Sequence, residues 1–275
     1  MMSPRKGGPT QPLILTLAGL AFAAALAVGL QASERASSEA RLYGYTVLAG
    51  PASADCGFDY IDLTHAGAPV SLQPVRADAA SDDGGAVLAF EQPFELYQSP
   101  VSTWVVSGNG YLAAAESLAV EDGADFSNDC NLPVRADNAA ASQNRIYVYH
   151  DDLRQRAGGE VRQAYFPDCP RNSASGHPEA CTVVEWNGFE RVEPIPSSRP
   201  LRAQAVLYHD SQGIALQYAS VDDSAAAQAT IGLQGFDARA ATQAGCNQRS
   251  KVAAGQAICF FDPRHRPRAR VAAAD

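Results

Sequence analysis

Beyond residue 54 the chain reads as short apolar runs separated by clusters of Gly, Pro, Asp and Asn, a spacing that predicts many short strands rather than helices. The segment Ala205–Tyr218 is the clearest. Val206 and Tyr208 share one face of a first arm, Ile214, Leu216 and Tyr218 share one face of a second, and Asp210–Gly213 supplies turn residues between them. Further strands are expected in Arg145–Tyr149, Val161–Phe166, Thr182–Trp186, Ala229–Leu233 and Ala257–Phe261. Asp78–Gly85 and Pro170–His177 read as loops. The Ala-rich stretches after Ala113 and at Ala253-Ala254 are the helix candidates, although alanine is so common along the chain that its propensity discriminates little. No repeat of 20–50 residues is visible, which argues against a propeller or solenoid.

One stretch supports two readings. In Trp104–Ala115, WVVSGNGYLAAA, the residues Gly108, Gly110 and Ala113 satisfy G-x-G-x-x-[G/A], and Asp129 lies where a dinucleotide-binding fold places its acid. The same letters contain Asn109-Gly110 between apolar runs, a hairpin signal. Asp122, Gly123 and Asp125 interrupt any helix starting at Gly110, and strands follow downstream, so the hairpin is the expected structure. Asn109 and Gly110 would then supply positive φ values, and Tyr111–Ala113 would continue as a strand.

Ahead of these runs, Arg5 and Lys6 precede the eighteen uncharged residues Leu13–Leu30. As a helix this run spans about 27 Å, between the lengths of a signal core and a membrane span. Residues 1–33 are therefore read as a signal peptide or a membrane anchor, and either one exports the remainder of the chain. Residues 34–54 read as a spacer, 55–262 as the folded domain and 263–275 as a basic disordered tail.

The net charge of −9 changes the picture only by exclusion. Both cations of the leader fall outside the exported part, which is more acidic still and repels nucleic acid and anionic membrane. Membrane contact is expected only through the N-terminal apolar segment. Six cysteines, Cys56, Cys130, Cys169, Cys181, Cys246 and Cys259, suit three disulfides in an oxidising compartment. Fifteen connectivities are open. Short loops favour Cys169–Cys181 and Cys246–Cys259, which leaves Cys56 for Cys130. Thiol–zinc knuckles are lacking.

Candidate chemistry is sparse. There is no G-x-S-x-G, H-E-x-x-H or P-loop lysine. His209-Asp210 falls in a hairpin turn. His150, Asp151 and Asp152 end an apolar strand and are the one candidate loop site. Asp151 and Asp152 are also the weak calcium candidates, because calcium takes carboxylates on loops, and no other cofactor is expected.

Several ordered fragments resemble the nidogen-like β-sandwich domain of bacterial choice-of-anchor type surface proteins, which also occurs beside subtilisin-like proteases. They are Phe90–Tyr97 leading to Val106–Leu112, then Ser127–Pro133, His150–Leu153, Val183–Asn187, Leu207–Tyr218, Thr230–Gln234 and Cys246–Phe260. His150 stands where the family has an aromatic residue, and Phe94–Tyr97 lacks the usual ending. The resemblance implies an all-β antiparallel sandwich, jelly-roll-like and disulfide-bonded, behind an N-terminal apolar signal or anchor helix. It implies no catalytic residues. The expected function is thus a non-catalytic envelope or secreted module with a protein or glycan partner. The alternative is a secreted hydrolase or carbohydrate-active enzyme with its site near His150, Asp151 and Asp152.

Overall fold

The computed structural model describes residues 44–49, 56–75, 80–114, 120–128, 131–134, 144–192, 199–221, 229–235, 238, 240–247 and 252–265. The apolar run 13–30, Cys130 and the tail beyond 265 lie outside them, as do residues 115–119 of one helix candidate. The other candidate, Ala253-Ala254, leads into a strand through a turn.

Period-two patterning becomes two seven-stranded sheets. The first runs β1 (Thr46–Ala49), β14 (Gln256–Phe261), β11 (Ile214–Ser220), β10 (Leu201–Tyr208), β9 (Cys181–Arg191), β8 (Leu153–Phe166), β2 (Ala68–Val70). The second runs β13 (Ala241–Cys246), β12 (Thr230–Gln234), β7 (Arg145–His150), β6 (Tyr111–Ala114), β5 (Ser99–Ser107), β4 (Gly84–Leu96), β3 (Gln73–Pro74). Every neighbouring pair is antiparallel. Val120–Gly123 forms a 3-10 turn.

This order corrects the jelly-roll expectation. β4–β7 meander through one sheet and β8–β11 through the other, so consecutive strands lie side by side within a layer instead of alternating between the layers. The segment expected to be a spacer contributes β1, whose Thr46–Ala49 pairs with Phe261–Ile258 of β14. At the other end, Arg264 is tied to Asp262 at 3.0 Å and Glu95 at 2.9 Å, so the first residues assigned to the basic tail are anchored. The expected loop at Asp78–Gly85 gives up Gly84 and Gly85 to β4.

The main core lies between the sheets, around Phe94, Trp104, Trp186, Phe189, Leu216 and Phe260. Each such side chain contributes roughly 1.5–3 kcal/mol by leaving water. Hydrogen bonds from Trp186 Nε1 to the Ser107 carbonyl and from Tyr218 Oη to the Val148 carbonyl, both 2.7 Å, stitch the layers together. The β10–β11 hairpin forms in the predicted place with Leu207 opposite Ile214. Its two arms show opposite faces of the sheet: Ile214, Leu216 and Tyr218 enter the main core, whereas Val206 and Tyr208 enter a second one.

That second core sits on the outer face of the first sheet, beneath two segments without strand structure. Leu63, Val183, Val206, Ala257 and Phe261 are among its members. Gln204 and Gln217 act as a polar ladder for the covering chain: Gln204 bonds the backbone of Ile61 at 3.1 and 3.0 Å, and Gln217 Oε1 accepts the Asp59 N–H at 2.7 Å. The segments are held by disulfides Cys56–Cys259 and Cys169–Cys181. The second bridge is the expected one. The first replaces both expected pairings of its cysteines, because β1 lies beside β14 and delivers the following Cys56 to Cys259. Cys246 is also disulfide-bonded, and its partner lies outside the described residues.

Candidate functional site

The residues expected to form a loop site diverge. His150, at the end of β7, turns to the outer face of its sheet, where its Nδ1 donates to the Asn109 carbonyl at 3.0 Å and its ring meets the Tyr111 ring edge-on at 4.9 Å. Asp151, one residue on, takes the other direction and pairs with Arg191 at 2.8 Å. Its second oxygen accepts the Asp152 N–H at 3.0 Å. Burial outweighs Arg191 and pushes the Asp151 carboxyl up to about 6. Asp151 and Asp152 gather no third ligand, and among the described residues no three His, Cys, Asp or Glu side chains cluster as a cation site would require.

His209 is a structural tie. Its Nε2 lies 2.8 Å from Thr182 Oγ1 and its Nδ1 3.3 Å from the Pro93 carbonyl, with Phe94 and Tyr165 against the ring. Burial lowers its pKa, keeping the ring neutral at physiological pH.

What the structure does gather is a polar cluster on the outer face of the second sheet, around residues not chosen from sequence. Arg145, at the start of β7, is buried between the rings of Tyr111 and Tyr147, with its guanidinium 4.9 and 5.9 Å from their centroids. It pairs with Asp125, which lies just after the 3-10 turn. Burial alone would raise the Asp125 carboxyl, but His150, Arg145 and the Ser127 hydroxyl together hold it well below the usual carboxylate range. Burial keeps the Tyr111 hydroxyl protonated, donating to the Asp122 carbonyl at 3.0 Å and accepting the Asp125 N–H at 3.0 Å. A signal for Arg145 existed: a cation opening the apolar run Ile146-Tyr147-Val148-Tyr149 breaks the pattern.

The chemistry open to this cluster is set by its connectivity. In a serine-type relay the imidazole stands between hydroxyl and carboxylate. Here the carboxylate stands in the middle: Ser127 Oγ donates to Asp125 Oδ1 at 2.5 Å, and His150 Nε2 lies 3.9 Å from that same oxygen. The hydroxyl is therefore bound to the acid rather than to the base. The arrangement suits fixing the 120–128 segment onto the sheet, not activating a nucleophile.

Asn109 joins this cluster to the fold. Fully buried, it donates from Nδ2 to Asp83 Oδ1 at 2.9 Å, accepts the Leu153 N–H on Oδ1 at 2.9 Å, and offers its carbonyl to His150. The expected hairpin is present, with Ser107 opposite Tyr111, and Tyr111–Ala114 continues as a strand. Its loop has three residues instead of two, so only Gly110, at φ +76°, takes the left-handed conformation. This is the geometry of a turn closed by a bulge glycine. The Gly110 carbonyl then accepts both Val148 N–H at 3.0 Å and Tyr149 N–H at 2.9 Å.

No protein-family model matches the chain, no curated protein matches it, and no solved structure does.

Proposed function

We propose that the chain is an exported, non-catalytic β-sandwich module that binds an envelope or extracellular protein or glycan, following an N-terminal signal peptide or anchor. The observation that carries this reading is the use made of the chemistry-bearing residues. His150, Asp151, His209 and Asp125 are each held by partners that fix backbone or neighbouring segments. The disulfides that pin the outer covering agree with an oxidising compartment. Stapled covering segments suit a domain that stays rigid outside the cell while presenting surface loops.

The test is retention of envelope components by the immobilised, oxidised protein, run beside hydrolysis assays on ester, peptide and glycoside substrates. The reading expects saturable retention and no turnover that depends on His150. Turnover abolished by His150→Ala at unchanged melting temperature would instead establish the hydrolase alternative.

A further inference from the structure

Arg171 stands in the loop closed by Cys169–Cys181, with 5% of its surface exposed. Its guanidinium donates to neutral acceptors: Tyr208 Oη at 2.6 Å, the Gly57 carbonyl at 2.8 Å, the Asn172 carbonyl at 3.3 Å and the Cys259 Sγ at 3.8 Å. No carboxylate of the described residues reaches ion-pair distance of it. The acid of its own loop, Glu179, is engaged elsewhere, accepting the N–H groups of Asp210 at 3.0 Å and Ser211 at 2.7 Å and the Ser175 hydroxyl at 3.2 Å. The Arg171 Nε–H is buried and without a hydrogen-bond partner. A buried cation with no counter-charge and an unused donor is costly to maintain.

Beside it lies a small cavity with room for one or two water molecules. Arg171, Ser173, Ser175, Tyr208, Ser211 and the exposed His265 line it. Ser211 Oγ accepts the Gly213 N–H at 3.4 Å, which leaves its own proton available to a guest.

We propose that this cavity binds a compact monoanion: chloride, or the carboxylate head of a small organic acid whose remainder stays in solvent. Arg171 Nε supplies the charge-assisted bond and the Ser211 hydroxyl a second donor. The size of the cavity selects against bulkier anions. This site stands independently of which partner the module binds.

The experiment tracks the melting temperature of the oxidised full chain during titration with sodium chloride or sodium acetate, with ionic strength held by a bulky sulfonate salt. Binding to the native state alone produces a saturable rise of several degrees. Arg171→Gln removes the charge and abolishes the rise. Because Arg171 also holds Tyr208 and Gly57, Ser211→Asp serves as the second variant: its carboxylate fills the cavity from within, so the folded variant shows no response. A response to either anion that is lost in Ser211→Asp supports the site. Bromide found against Arg171 Nε in soaked crystals supports it as well. A non-saturating rise, an equal rise with the sulfonate alone, or an unchanged response in Ser211→Asp overturns it.

Discussion

The side-chain oxygen of Asn109 accepts the backbone N–H of Leu153 at 2.9 Å, tying the β5–β6 turn of one sheet to the first residue of β8 in the other. Its amide nitrogen reaches Asp83 just before β4, so one buried side chain fixes three chain segments. Replacing Asn109 with Ala leaves the Leu153 N–H without its acceptor in a buried site. The expected loss is about 2–4 kcal/mol, measured by urea unfolding. Asn109→Asp places a carboxylate against Asp83 and costs at least as much.

Gly110 and Gly158 both take positive φ, at +76° and +80°, yet they predict different outcomes. A Cβ on Gly110 would lie 2.1 Å from the Tyr149 carbonyl oxygen, whereas one on Gly158 meets nothing within 4 Å. Gly158→Ala therefore carries only the conformational cost, about 1–2 kcal/mol. Gly110→Ala adds a backbone clash and yields little folded protein; the yield of monomeric protein and its melting temperature check the pair.

Asp151 gives a pH signature. Its folded pKa, about 6, lies above the unfolded value near 3.8, so the native state binds the proton more tightly. The stability it contributes is fully present below about pH 4 and is lost as pH rises through 6. Relative to Asp151→Asn, the wild type should thus lose up to about 2–3 kcal/mol between pH 4 and 7. Parallel unfolding curves for the two proteins across that range give the difference directly, and a flat difference contradicts it.

The two described disulfides close loops of very different length, with sequence separations of 12 and 203 residues. Loop-closure entropy assigns about 3 kcal/mol to Cys169–Cys181 and about 5 kcal/mol to Cys56–Cys259. Replacing Cys56 and Cys259 together with Ser also loosens the covering over Val183, Val206 and Ala257. Hydrogen exchange in β9, β10 and β14 should accelerate most in that variant.

Sequence patterning located what depends on local alternation. Strands β7, β9, β11, β12 and β14 fall where apolar and β-branched residues cluster, and Leu207 opposite Ile214 follows from the turn at Asp210–Gly213. It could not place what depends on sheet order. β1 is four residues long, too short to show a period, and only its pairing with β14 removes it from the spacer. The same adjacency decides Cys56–Cys259, where short spacing had favoured Cys246–Cys259; closure entropy grows too slowly with length for spacing to dominate. The candidate site failed for a related reason. His150 and Asp151 are neighbours in sequence but leave the strand in opposite directions, and the carboxylate that His150 approaches, Asp125, comes from a segment 25 residues earlier that the strand pattern does not bring to it.

Disulfides pin the outer covering of this sandwich, one of them across 203 residues, as the proposed export to an oxidising compartment requires. Non-reducing peptide mapping of the full chain recovered from an exporting cell tests this most directly. It should find Cys56 bridged to Cys259 and Cys169 to Cys181, with Cys246 joined to Cys130, the one cysteine these two bridges leave over. Free thiols in the recovered protein, or Cys246 bridged to Cys259, would contradict it.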